Sequence, residues 1–226
     1  MATSRKAPQE RPVTIFLNDR EWVTVQATPA DLHDWAVGYL CGEGVISRPD
    51  ELVRLVVEED RGLIWADVPT AQTDEPVFQP AAPGPAVPAD RLLAWMEQML
   101  ASAPLYQETG GMHVAAAVRL DTDEWIIRED IGRHNAVDKV LGHARICSWP
   151  PEQVAVITSG RISYEMCSRL ARFGAGIGIS RTAATDQAYR LAMELGIELV
   201  GYVRTPASLV IYTPGLRVLR RVRHAG

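Results

Sequence analysis

Cysteine is scarce in this chain: three occur in 226 residues, Cys41, Cys147 and Cys167. Each stands alone. No C-x-x-C pair and no metal-site spacing is present, and an odd count of isolated thiols fits a reducing compartment, so the cytoplasm is the expected location. No run of 18 apolar residues occurs, so no transmembrane helix is expected. Positive charge is not in surplus either. The 23 Lys and Arg against 28 Asp and Glu leave a net charge of −5, which argues against a general nucleic-acid binder, since phosphate binding needs a basic footprint. Residues 1–11 lack the apolar centre of a secretion signal and read as a flexible leader. The G-x-x-x-x-G-K of a P-loop and the G-x-S-x-G of a serine hydrolase are both missing.

What is present begins with alternating apolar and polar residues at 12–18 and 21–27 around Asn18-Asp19, the pattern of a hairpin. Thr28 then reads as a helix N-cap with Pro29 behind it. Leu32, Trp35, Ala36, Tyr39 and Leu40 follow at helical spacing, and Gly42 and Gly44 mark the helix end. A second hairpin turning at Asp60 to Gly62 completes a small α+β unit over residues 12–68. Residues 69–88 hold six prolines, which predicts a linker or wrapping segment free of chemistry. A helix with Leu92, Met96, Met99 and Leu100 inward opens residues 89–216, where strands alternate with helices of about ten residues. That order predicts an α/β fold, a three-layer sandwich around a mixed sheet. Arg217, Arg220, Arg221 and Arg223 in residues 217–226 read as a solvated basic tail.

The richest segment is R-E-D-I-G-R-H-N-A-V-D-K-V at 128–140, where an apolar strand gives way to a helix. A glycine at such a corner leaves backbone N–H groups free for an anion. Asp130, Gly132, Arg133, His134, Asn135 and Lys139 are the candidates there, with Asn135 and Lys139 four apart and expected to face one pocket. Ligands of α/β sheets bind beyond the carboxyl ends of strands. Three segments fall at such ends. Ser159, Gly160, Arg161 and Ser163 form a candidate phosphate cradle. Arg181 and Thr182 repeat the pattern after the next strand, and Arg204 follows the one after that. Arg133, Lys139, Arg161, Arg181 and Arg204 would thus make a cationic rim for a polyanion such as a pyrophosphate. Gly110-Gly111 would let the backbone approach a ligand, with His113 as a donor.

In five ordered blocks the chain resembles the formate dehydrogenase accessory proteins, the FdhD/NarQ family: A-V-G-Y-L-C-G-E-G-V-I (36–46), T-G-G-M-H-V-A-A-A (109–117), the 128–140 segment, S-G-R-I-S-Y-E-M (159–166) and S-R-T-A-A-T (180–185). The resemblance implies a cytidine-deaminase-like second domain. Zinc deamination itself is not expected, because His113-Val114-Ala115 is not H-x-E and no P-C-x-x-C occurs. It also implies a cytoplasmic maturation chaperone that binds the bis-molybdopterin guanine dinucleotide (molybdenum) cofactor, with GDP as a fragment mimic. Residue matching places the family's nucleotide-binding stretch on Tyr202, Val203, Arg204, Thr205, Pro206 and Ala207. Implied partners are the formate dehydrogenase catalytic subunit and a cysteine desulfurase, in a homodimer. Members usually carry, between their two regions, a C-x-x-C pair that passes sulfur from the desulfurase to molybdenum, and this chain has none. The expectation is therefore a cofactor-binding factor without that step; the alternative is a sulfurtransferase that uses an unconventional cysteine.

Overall fold

The structure, a computed structural model, describes residues 5–69, 78, 80–213, 215 and 217–219. The first hairpin is β1 (Arg11–Leu17) and β2 (Arg20–Ala27), paired antiparallel. Its turn forms as the sequence predicts, with Asn18 at φ 49° and Asp19 at φ 61°, the two left-handed residues that a tight hairpin turn requires. α1 (Leu32–Glu43) ends at Gly44 with φ 77°. The second hairpin, β3 (Arg54–Glu58) and β4 (Leu63–Asp67), completes a sheet of order β2-β1-β4-β3. Val13, Ile15 and Ile64 pack with Leu32, Trp35 and Leu40 of α1 as one core. Thr28 is not the cap of α1. That place belongs to Asp31, at φ 53° and without a side-chain capping bond, while the polar groups of Thr28 reach residues distant in sequence.

β5 (Val87–Pro88), α2 (Ala89–Ala101) and α3 (Pro104–Thr109) lead into the second unit. Its elements are β6 (His113–Arg119), β7 (Glu124–Asp130), α4 (Arg133–Ile146), β8 (Val154–Thr158), α5 (Tyr164–Phe173), β9 (Ile177–Ser180), α6 (Asp186–Leu195), β10 (Glu198–Gly201), β11 (Val210–Ile211) and β12 (Val218–Leu219). The main sheet has the order β11-β10-β9-β8-β6-β7, parallel across β8, β9 and β10 and antiparallel at both flanks. Apolar residues of α4, α5 and α6 cover one face, with Val140, Leu170 and Leu191 among them. Leu92, Trp95, Met96 and Met99 of α2 cover the other. The fold is therefore α/β, with a mixed sheet between helices.

The two units are not separated by a free linker. α1 crosses α4 at glycine on both helices: a methyl group at Gly38 would overlap the Asp138 carbonyl, and one at Gly142 the Asp34 carbonyl. α4 is thus covered by the sheet on one side and by α1 on the other, and Asn135 to Gly142 are all buried. The described part of the proline-rich stretch is tied down as well. Ala81 N–H donates to the Leu195 carbonyl at 2.7 Å, and Phe78 lies under the Arg172 guanidinium. β5 pairs with β12 in parallel. Arg217 does not belong to a solvated tail. It is 7% exposed, and its backbone N–H donates to Glu198 Oε2 at 2.9 Å. The expectation for residues 70–77, 79 and 220–226 lies outside the described residues.

Candidate functional site

Because β8, β9 and β10 are parallel neighbours, the turns that follow them lie side by side. Hydrogen bonds join them: Arg181 N–H donates to the Thr158 carbonyl at 3.0 Å, Val203 N–H to the Ser180 carbonyl at 3.2 Å, and Tyr202 N–H to the Thr182 carbonyl at 2.6 Å. Ser180 Oγ donates to the Gly160 carbonyl at 2.7 Å and accepts from Thr182 N–H at 2.9 Å. Arg204 Nε donates to the Arg181 carbonyl at 2.9 Å. The rim predicted from sequence is in this sense one connected surface. The ends of the antiparallel strands join it, since His113 opens β6 and Asp130 closes β7 opposite it.

Several candidates make hydrogen bonds or contacts within this framework. Ser159 Oγ accepts from Val114 N–H at 3.0 Å and lies 3.3 Å from His113 Nδ1. Ser163 caps α5 by accepting from Met166 N–H and lies 3.3 Å from His134 Nε2. Val203 is fully buried, so its side chain is core. Gly110, at φ 67°, lies against Arg5, and Gly111 against Pro8. The leader therefore lies along the glycine turn expected to meet a ligand. Tyr202 (φ 52°), Arg204, Thr205, Pro206 and Ala207 form an exposed turn closed by Ser208 N–H donating to the Thr205 carbonyl at 3.1 Å.

The largest correction concerns the 128–140 segment. Lys139 does not face a pocket. Its side chain and that of Asp130 are both 0% exposed, and Nζ stands 2.7 Å from Asp130 Oδ2. The other donations of Nζ go to the carbonyls of Thr28 and Glu129, each at 3.2 Å. Asp130 Oδ1 accepts from Gly132 N–H at 2.8 Å and from Asn135 Nδ2 at 3.0 Å, and Oδ2 accepts from Thr28 N–H at 3.1 Å. The physical reason is that α4 is sandwiched. The helical face assigned to a ligand is the face that α1 and the end of β2 cover, and a charge so buried must be paired. Asp138, also fully buried, receives Arg169 Nε at 2.7 Å, and burial raises its carboxyl to about 7.

Arg133 is different. It stands in the first turn of α4, half-buried, with Nε buried and without a hydrogen-bond partner among the described residues. Glycine at 160 makes room for it: a Cβ there would lie 2.9 Å from Arg133 Cβ and 3.4 Å from His113 Nδ1. Burial and the adjacent guanidinium lower the pKa of His113 and push that of His134 down to about 4. Both rings are neutral at pH 7, and Arg133 carries the charge. A desolvated guanidinium with an unused donor, flanked by neutral imidazoles, suits a phosphate or carboxylate oxygen. Arg161 and Arg181 also lack a side-chain partner among the described residues. No cluster with metal-holding composition and no helix long and apolar enough to cross a membrane occurs among the described residues.

The thiols diverge. Burial raises Cys41 and Cys167 to about 12. Cys147 caps the C-terminal end of α4 and is exposed. Exposure follows from its place one residue past the last helical turn.

These features define an α/β protein with an arginine-bearing rim built on parallel strand ends and packed against a hairpin unit. The FdhD/NarQ family model matches residues 8–78 and 70–219. The chain belongs to that family. It is 32% identical over 235 residues to the sulfur carrier protein FdhD of Bacillus subtilis (strain 168), covering 92% of this chain and 88% of that one. Identity to the Listeria innocua protein of the same name is 34% over 224 residues, covering 86% and 85%. A crystal structure described as that of a formate dehydrogenase accessory protein from Desulfotalea psychrophila superposes with a TM-score of 0.82 at 29% identity, covering 94% of this chain and 90% of that one.

Proposed function

We propose that this chain matures formate dehydrogenase by binding the guanine-nucleotide end of the bis-molybdopterin guanine dinucleotide cofactor on the rim and delivering it to the catalytic subunit. The observation that carries the reading is the unused Arg133 Nε–H, buried beside two histidines held neutral. The unpaired Arg161 and Arg181 on adjoining turns support it in a net acidic chain. The cofactor is cargo on this reading, and its pyrophosphates meet the guanidinium groups. Titration calorimetry with GDP tests it. The wild-type chain binds, and Arg161→Ala or Arg181→Ala weakens binding by about 1–3 kcal/mol for a lost charge-assisted bond. Absence of GDP binding, or unchanged affinity in both variants, overturns the nucleotide reading.

The names of the relatives favour a second reading, a sulfur carrier, for which a cysteine desulfurase would be the donor. Persulfide chemistry needs an accessible thiol, and Cys147 is the exposed one of the three. Loss of formate dehydrogenase maturation in Cys147→Ala with GDP binding intact would establish it.

A further inference from the structure

The hairpin unit holds the turn that carries Arg133. Thr28, just past β2, uses all its polar groups in or beside that turn. Its N–H donates to Asp130 Oδ2 at 3.1 Å, its carbonyl accepts from Lys139 Nζ at 3.2 Å, and its hydroxyl accepts from Ile131 N–H at 3.2 Å while donating to the Gln9 carbonyl at 3.3 Å. On the far side of Arg133, Asn135 Nδ2 donates to the Gln26 carbonyl at 3.0 Å, and Trp35 Nε1 donates to Asn135 Oδ1 at 3.3 Å. The turn is thus pinned through the Ile131 backbone N–H and the Asn135 side chain, immediately around a residue whose guanidinium nothing else holds among the described residues.

We infer that Thr28 is a positioning residue for the Arg133 anion subsite: its hydroxyl fixes the 130–132 turn and thereby the line along which Arg133 enters the rim. The ligand in this inference rests on the nucleotide reading above; the geometry does not. A long side chain aimed from a turn amplifies small backbone shifts, and a displacement of about 1 Å removes most of the value of a directed charge–phosphate bond. The first unit is then part of the binding apparatus, although it supplies no group to the ligand.

The test compares wild type, Thr28→Val and Thr28→Ser. Valine keeps the shape and the backbone bonds of Thr28 and removes only the hydroxyl; serine returns it. NMR titration of the histidine rings reports the position of Arg133, because His134 is held low by burial, Arg133 and Arg169 and opposed by Glu165, while Arg133 also lowers His113. The expected result is that Thr28→Val moves both titrations upward toward the ordinary histidine range and weakens GDP binding by about tenfold, the effect of one charge-assisted bond, and that Thr28→Ser restores both. Unmoved histidine titrations in Thr28→Val overturn the inference, even if the variant melts earlier. If wild type fails to bind GDP, the nucleotide reading falls and the histidine titrations alone decide the role of Thr28.

Discussion

Replacing Lys139 by methionine puts the reinterpretation of the 128–140 segment at risk. The ammonium and the Asp130 carboxylate are both 0% exposed and 2.7 Å apart. Asp130 also accepts from two backbone N–H groups and one amide, so among the described residues Lys139 contributes its only directly bonded cation. Methionine preserves the apolar stem and leaves the carboxylate buried with neutral donors alone. Breaking a buried pair in this way costs about 3–5 kcal/mol. For a protein of this size each kcal/mol lowers Tm by about 2–4 °C, so the expected fall is roughly 6–20 °C. Adding Asp130→Asn removes the orphaned charge and recovers part of the loss, which a double-mutant cycle reads as coupling. Thermal melts of the free protein are sufficient. If Lys139→Met melts within about 2 °C of wild type while GDP affinity collapses, Lys139 faces the ligand and the buried pair is wrong.

At the helix crossing, Gly38→Ala gains helix propensity but drives a methyl into the Asp138 carbonyl, so urea melts should show a net loss of about 1–3 kcal/mol from overpacking. Asp138 gives a pH signature. Because burial raises its folded pKa to about 7 from 3.8, the folded state binds the extra proton, and this group's contribution to stability falls as pH rises between about 4 and 7. Asp138→Asn should therefore gain on wild type across that window, and a difference independent of pH would refute the assignment. With Ellman's reagent, Cys147 should react first in the native protein, half-buried Cys41 more slowly, and buried Cys167 only on unfolding; prompt reaction of Cys167 contradicts its burial.

The hairpins, α1, α5 and α6 were legible because each is local: Asn18-Asp19 dictates a turn, and Thr185 caps α6 by accepting from Ala188 N–H. The rim was legible because topology places the turns after parallel strands together. The fate of Lys139 was not. Its spacing from Asn135 is equally consistent with a ligand face and with a face covered by another helix, and only the long-range packing of α1 decides between them. Thr28 misled for a related reason. A threonine before a proline is a good local cap, and nothing near it in sequence announces a partner 102 residues away. Gly38 was the available signal, since a small residue in the middle of an apolar helix marks close approach by another backbone.

α4 has Arg133 in its first turn and Cys147 just past its last, 14 residues apart. At 1.5 Å per residue the two are roughly 20 Å apart along the axis. A persulfide on Cys147 therefore lies at the opposite end of α4 from any group anchored at Arg133 and cannot reach it without a carrier or a large displacement of the helix. Of the other thiols Cys41 is half-buried and Cys167 buried, and raised to about 12 both are protonated at pH 7. Direct sulfur transfer within one chain is thus disfavoured by distance for the exposed thiol and by protonation for the other two. Cys147→Ala is accordingly expected to support formate dehydrogenase maturation at the wild-type level in a host lacking the endogenous factor. Loss of maturation with unchanged GDP affinity would show that sulfur does pass through Cys147, and would require a carrier between that thiol and the rim.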